Sequence, residues 1–249
     1  MSAAGQSGST SVVSGAGASV SQYLIALPHL AFGGVWRTQI VISNTGSAAA
    51  TVTLYYFGDT GSPLSVAIGG VYSTSTIVTI PASGQQVVEP DWQGSVTYSG
   101  WAALVYSSTG VKVQGIFLWH NPTAVAGTYT EAVAPIVSQA GTACIISMPS
   151  GSSTLTMPFD ETNGQFSGYG FANTTAGPVT MTLTFYNQLG ATLGQYSETL
   201  QAFNHDSFLL RDKLSQLVGQ QGTMAIAGQG IVPLGFRFNP DYTFMTWLP

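Results

Sequence analysis

Three histidines and ten carboxylates are the groups in this 249-residue chain that could carry proton-transfer chemistry. Asp59-Thr60-Gly61-Ser62 spells the tetrapeptide with which aspartic proteases place paired carboxylates around one water. That chemistry needs a second Asp. The repeat set out below puts Gln188-Leu189-Gly190-Ala191 at the equivalent position, so one chain lacks the dyad, and an Asp-x-Gly hairpin turn accounts for Asp59. His29, His120 and His205 are separated by 91 and 85 residues, with neither a Gly-x-Ser-x-Gly elbow nor a His-Glu-x-x-His pair. His205, beside Asp206, falls at the start of a segment with helical spacing, where capping explains the pair. No catalytic residue is expected.

Metal chemistry has two candidate clusters, Glu89-Pro90-Asp91 and Asp160-Glu161-Thr162-Asn163-Gly164. Calcium takes six to eight oxygens and each cluster offers two carboxylates, so solvated acidic turns are the simpler reading. No metal and no cofactor is expected. The one cysteine, Cys144, permits no internal disulfide and no Cys-x-x-Cys pair; within Thr142-Ala143-Cys144-Ile145-Ile146 it reads as a buried apolar residue. Asn173-Thr174-Thr175 fits a glycosylation sequon, but its repeat partner Asn44-Thr45-Gly46 does not, which favours a turn role shared by both asparagines.

The elements that would position these residues are set by an unusual composition. Charged residues make up 6% of the chain, against roughly 25% in an ordinary soluble domain. The surface is therefore expected to be Ser, Thr, Gln, Asn and Gly. Five basic residues at net charge −5 cannot neutralise the phosphates that drive nucleic-acid binding, and no polybasic cluster exists for an anionic membrane. No apolar run approaches the 18 residues of a membrane-spanning helix, and residues 1–8 lack the basic and apolar regions of a signal peptide.

Beyond residue 22 the chain repeats itself. Asn44 to Leu64 aligns without a gap on Asn173 to Leu193, with Asn44, Thr45, Thr51, Thr53, Leu54, Gly61 and Leu64 identical to Asn173, Thr174, Thr180, Thr182, Leu183, Gly190 and Leu193. Gly110 to Gly115 then matches Gly230 to Gly235, and Asn121-Pro122 matches Asn239-Pro240, in the same order. Two copies of one module are expected, over 22–137 and 138–249, preceded by an extension over 1–21. Val52, Leu54 and Tyr56 alternate with Thr51, Thr53 and Tyr55, as Met181, Leu183 and Phe185 alternate with threonines. Such alternation predicts antiparallel sheets with one buried face. Only Asp206 to Leu217 has helical spacing, with Asp206 as N-cap and Gly219 as stop.

The order Gly33-Gly34-Val35-Trp36-Arg37-Thr38, the Asn44-Thr45 turn, Tyr56-Phe57, Ile80-Pro81-Ala82-Ser83-Gly84, Gly94 and a closing Gly-x-Phe strand resembles tandem immunoglobulin-like modules of secreted, largely uncharacterised bacterial proteins. Gly170-Phe171-Ala172-Asn173, Leu200-Gln201-Ala202, Gly222 and Leu234-Gly235-Phe236-Arg237-Phe238 continue the likeness. It implies an all-β fold of two tandem antiparallel immunoglobulin-like sandwiches and an extracellular or cell-surface setting.

These features predict a structural subunit of a self-associating surface or filament assembly. In the extension, Val12, Ser14, Ala16, Ala18 and Val20 alternate with Ser11, Val13, Gly15, Gly17 and Ser19, a strand of small residues able to dock on its own domain or on a neighbour. Trp36, Trp92 and Trp101 are the aromatic candidates for a partner surface, expected to be another copy of the chain; a carbohydrate or adhesin role for the same aromatics is the alternative.

Overall fold

A computed structural model describes residues 23–91, 94–120, 129–136, 154–240 and 243–247. In chain order the strands are β1 Tyr23–Phe32, β2 Trp36–Asn44, β3 Ala50–Gly58, β4 Val66–Ile68, β5 Val71–Ser73, β6 Ser75–Ile80, β7 Gln85–Val88, β8 Tyr98–Tyr106, β9 Val111–His120 and β10 Tyr129–Ile136. They continue as β11 Leu155–Asp160, β12 Phe166–Asn173, β13 Val179–Asn187, β14 Thr192–Leu200, β15 His205–Leu209, β16 Gln221–Ala227, β17 Ile231–Phe238 and β18 Phe244–Trp247. One helical turn, α1 (Leu210–Lys213), and a 3-10 turn at Ser215–Leu217 follow β15. The protein is all-β, and every described strand pairing is antiparallel.

Four sheets of four strands run β1-β8-β3-β6, β10-β9-β2-β7, β11-β16-β13-β14 and β15-β12-β17-β18, and β4-β5 forms a side hairpin. Setting that hairpin aside, the first eight strands and the last eight pair in the same order. Pairing of β2 with β7 and of β3 with β8 matches the central B–E and C–F contacts of an immunoglobulin sandwich. The outermost strands differ: β1 joins β8 and β9 joins β2, where an immunoglobulin joins A to B and G to F.

The alternating residues behave as their period requires. Val52, Leu54 and Tyr56 are buried, as are Met181, Leu183 and Phe185, while Thr51 and Tyr55 face outward. Their register agrees too, Leu54 lying opposite Leu104 and Leu183 opposite Ile226.

The expected helix over 206–217 is mostly strand. His205 to Leu209 pairs with Ala172 to Gly168, so Asp206 is a strand residue and the one-turn α1 has Leu209 at its N-cap, with no side-chain cap. Strand pairing to β12 satisfies these backbone groups, and only Leu210, Leu214 and Leu217 keep the helical spacing, as buried contacts of the turns that follow. Gly219 does stop them, at φ +81°.

β1 carries the feature that shapes the site. Its register against β8 slips between Leu27 and Leu30, so Pro28 and His29 together face one residue, Trp101. Proline, with no N–H to donate, is tolerated at such an edge bulge, and the extra residue turns His29 away from the inner face kept by Ile25, Leu27, Leu30 and Phe32. β1 is buried on both sides from Ile25 to Phe32 because the second half of the chain covers its outer side. Ala26, Trp101 and Ala103 pack there on Ala172 and Val232, closed by Leu24, Phe57 and Phe203. Past the end of β1, Phe236, Phe238 and Phe244 enter the core of the first half, where Trp36 meets them at ring distances of 6.5, 6.3 and 5.7 Å.

Candidate functional site

The densest chemistry lies where the two halves meet. The turn after β3 places Asp59, the bulge in β1 places His29, and the first position of β15 places His205. His205 Nδ1 is 2.7 Å from Asp59 Oδ1, and His205 Nε2 is 3.0 Å from His29 Nδ1. Ser99, at the start of β8, donates its hydroxyl to both Asp59 oxygens at 3.0 and 2.7 Å. With Asp59 ionised its oxygen accepts, so His205 donates from Nδ1 and its Nε2 is left to face His29. The two imidazoles stack with centroids 5.1 Å apart, and Phe117 and Phe236 close over His29 at 5.9 and 5.5 Å.

Glycine makes this approach possible. A Cβ on Gly170 would lie 2.9 Å from His29 Cβ, and one on Gly61 would lie 2.2 Å from the Ala202 carbonyl oxygen. Around the histidines, Trp101 donates its indole N–H to Phe203 O at 2.7 Å, and Phe57 stacks between Trp101 and Phe203 at 4.6 and 5.5 Å.

Burial, reinforced by the neighbouring His205 and only partly opposed by Asp59, pushes the His29 pKa down to about 3. Burial works upward on Asp59, but hydrogen bonds from His205 and Ser99 outweigh it and hold the carboxyl below its ordinary value. The His205 side chain is sealed from solvent, whereas that of Asp59 is 56% exposed. The row therefore runs from water inward, from carboxylate to imidazole to imidazole.

This is not a hydrolytic triad. A triad aims the histidine Nε2 at a nucleophile; here that nitrogen faces His29, and the serine bonds to the carboxylate instead. What the row can do is hold protons and tie Asp59 and His29 of the first half to His205 of the second. Asp59 is a turn residue as expected, Gly61 N donating to Gly58 O at 2.9 Å, and it is also the outer end of this row.

The two acidic clusters are occupied by protein groups. Arg37 and Gln39 both bind Glu89, Gln39 Nε2 at 2.7 Å, and Asp91 accepts the Gly69 and Gly70 N–H groups at 3.0 and 2.7 Å, closing the β4-β5 hairpin. Asp160 holds Arg237 at 2.9 Å, and buried Glu161 holds Arg211 at 2.9 Å and the Ser167 N–H at 2.7 Å. Among the described residues no three His, Cys, Asp or Glu side chains converge as metal ligands, and no helix is long and apolar enough to cross a membrane.

Asn44 and Asn173 share one structural task. Asn44 Nδ2 reaches the carbonyls of Ala48, Ile80 and Pro81 while its Oδ1 accepts the Gly46 N–H; Asn173 Nδ2 reaches those of Gly177, Leu200 and Gln201 while its Oδ1 accepts the Thr175 N–H. Asn173 is fully buried, so its sequon is closed to a glycan in the folded chain.

The expected partner residues fare differently. Trp101 is 2% exposed and its ring is taken by the other half, so it presents no face to a partner; the covering of the outer side of β8 is the reason. Trp36 sits partly buried among Phe236, Phe238 and Phe244. Val12, Ser14, Ala16, Ala18, Val20, Trp92 and Cys144 lie outside the described residues, and His120 ends β9. Spacing could not reveal the His29–His205–Asp59 row; its one trace is a histidine inside the apolar run Leu24-Ile25-Ala26-Leu27-Pro28-His29-Leu30. Compared with known proteins, the chain matches no family model and no curated relative.

Proposed function

We propose that this chain is a structural subunit, built as two tandem immunoglobulin-like sandwiches, that associates with further copies of itself in an extracellular surface or filament assembly. The observation that carries this reading is the outer edge of β6. Among the described residues β6 pairs only with β3, from Ala50 opposite Ile80 to Tyr55 opposite Ser75, with no break in register. Along its other edge, Ser-Thr-Ile-Val-Thr-Ile, no described strand takes up the backbone groups, and the six residues carry no charge, proline or glycine. Monomeric proteins blunt such edges with lysine, proline or a bulge; this one carries none of them. Ile77 is 70% exposed and Tyr55, diagonal to it on β3, 44%, so an incoming strand would gain main-chain bonds and an apolar strip together.

The corresponding outer strand of the second half, β14, carries Glu198, held by Lys213. The sequence over residues 12–20 alternates small side chains with the two-residue period that an added strand on the β6 edge would need, and the low surface charge lets identical copies meet without repulsion. A glycan platform has less behind it, with Trp101 buried and Trp36 enclosed.

The test is Ile77→Lys, which places a charge on the open edge at a position with little packing to lose, so stability should change by no more than about 0.5 kcal/mol. Particle size by light scattering and electron microscopy is expected to fall to that of the single chain while melting is unchanged. Assemblies of undiminished size would refute the role of β6.

A further inference from the structure

The row of His29, His205 and Asp59 has the geometry of a switch, independently of any self-association. We propose that it is an acid-sensitive latch between the two halves of the chain, closed while the two imidazoles share at most one proton beyond the neutral pair and opened by the second.

Counting hydrogens gives the reason. In the neutral pair His205 donates from Nδ1 to Asp59, and His29 donates from Nδ1 to His205 Nε2, so one hydrogen fills the 3.0 Å gap between the rings. One added proton is accommodated: the pair still donates to Asp59 and keeps one N–H···N bond between the rings, and its single positive charge is balanced by the carboxylate. A second proton puts two N–H groups face to face across that gap. The hydrogen bond is lost, and two cations lie with ring centroids 5.1 Å apart.

Among the described residues nothing else nearby offsets the second charge. Gly170 of β12, Phe236 of β17 and Phe117 of β9 lie against His29, and Trp101 of β8 stands opposite the bulge that carries it; none of these is a charge. Asp206 lies beside Lys213 at 3.7 Å, where Glu198 also sits, and Arg237 is bound to Asp160. Among the described residues Asp59 is the one charge that meets the row, and one carboxylate can balance one cation.

Local rearrangement cannot relieve the clash. The space beside Gly170 is too narrow even for a Cβ, which would lie 2.9 Å from His29 Nδ1, and Phe117 and Phe236 lie against the ring as well. His29 reaches water when β1 separates from β12 and β17, which uncovers Ala26, Phe57, Trp101 and Phe203. The expected output of acid is thus an apolar surface that neutral pH keeps hidden.

The experiment follows small-angle scattering and binding of a dye that fluoresces on apolar surface from pH 7.5 to 3.5, with far-UV circular dichroism alongside. In the wild type the ratio of parted to closed molecules is expected to rise at least tenfold per pH unit below about pH 6, with the strand signal retained. In His29→Gln that dependence should weaken by about tenfold per unit, a loss of one linked proton that a packing role alone would not produce. Asp59→Asn, in a largely exposed turn, should move the transition toward neutral pH and carries the test should His29→Gln fail to fold. No parting down to pH 3.5, parting with simultaneous loss of the strand signal, or an unchanged transition in Asp59→Asn would each overturn the latch.

Discussion

Replacing Asn44 or Asn173 by alanine tests whether the two halves are built on one plan, because each asparagine does the same work at the same corner. Both are buried, at 1% and 0% exposure. Each amide offers two hydrogens to three carbonyls, at 2.7 to 3.2 Å for Asn44 and 2.8 to 3.1 Å for Asn173, and each Oδ1 accepts a backbone N–H at 2.9 Å. Alanine leaves about three backbone groups without partners. A fully buried orphan costs about 1–3 kcal/mol, and water can reach part of this corner, so each variant should lose about 3 kcal/mol. That is a large share of the roughly 5–15 kcal/mol that stabilises a domain. Urea unfolding should show the loss as a lower midpoint with the slope unchanged. Aspartate sharpens the test: it keeps the acceptor but sets a second oxygen against the carbonyls, so at pH 7 it should cost more than alanine and recover as acid protonates it. Losses under about 1 kcal/mol in either alanine variant, or aspartate less harmful than alanine at pH 7, would refute the reasoning.

Two further outcomes follow from the junction. Gly61→Ala and Gly190→Ala occupy matched turns with φ of +75° and +78°, but a Cβ meets the Ala202 carbonyl in the first and open space in the second. The first should therefore cost about 3 kcal/mol or more and the second about 1 kcal/mol in thermal or urea melts. Stability should also fall with acid: because His29 has its pKa depressed from 6.5 to about 3 in the folded state, the unfolded chain binds the extra proton below pH 6.5. Stability is thus full above about pH 6.5 and declines by about 1.4 kcal/mol per unit, reaching on the order of 4–5 kcal/mol near pH 3, with Asp59 adding in the same direction at the acid end. A urea midpoint that is flat between pH 6.5 and 4 would contradict this.

The alternation of Val52, Leu54 and Tyr56 could be read directly, because a two-residue period with one buried face leaves a strand few other ways to fold. Asn44 and Asn173 were legible as turn residues because the repeat showed both in one setting. At Asp206 to Leu217 the local signal misleads: Leu210, Leu214 and Leu217 keep helical spacing, yet β12 needs a partner and takes His205 to Leu209 as a strand. Trp101 was beyond reach for a related reason. Periodicity tells which side of β8 faces away from its own sandwich, not that another sheet lies there. His29, His205 and Asp59 stand 146 and 176 residues apart along the pairs that join them, and only the docking of the halves unites them.

The phenylalanines that complete the first core, Phe236, Phe238 and Phe244, leave the ribosome long after the strands they pack on. Strand β9 ends at His120, so Trp36 and Phe117 wait on the order of 10 s for them at ordinary rates of synthesis. During that interval the nascent chain shows the apolar outer side of β1 and the bare edge of β6 at once, in a crowd of other nascent chains carrying the same two surfaces. Translation speed thereby becomes a determinant of yield: pausing between codons 120 and 244 lengthens the exposure, and a chaperone that shields β1 until β17 arrives shortens its consequences.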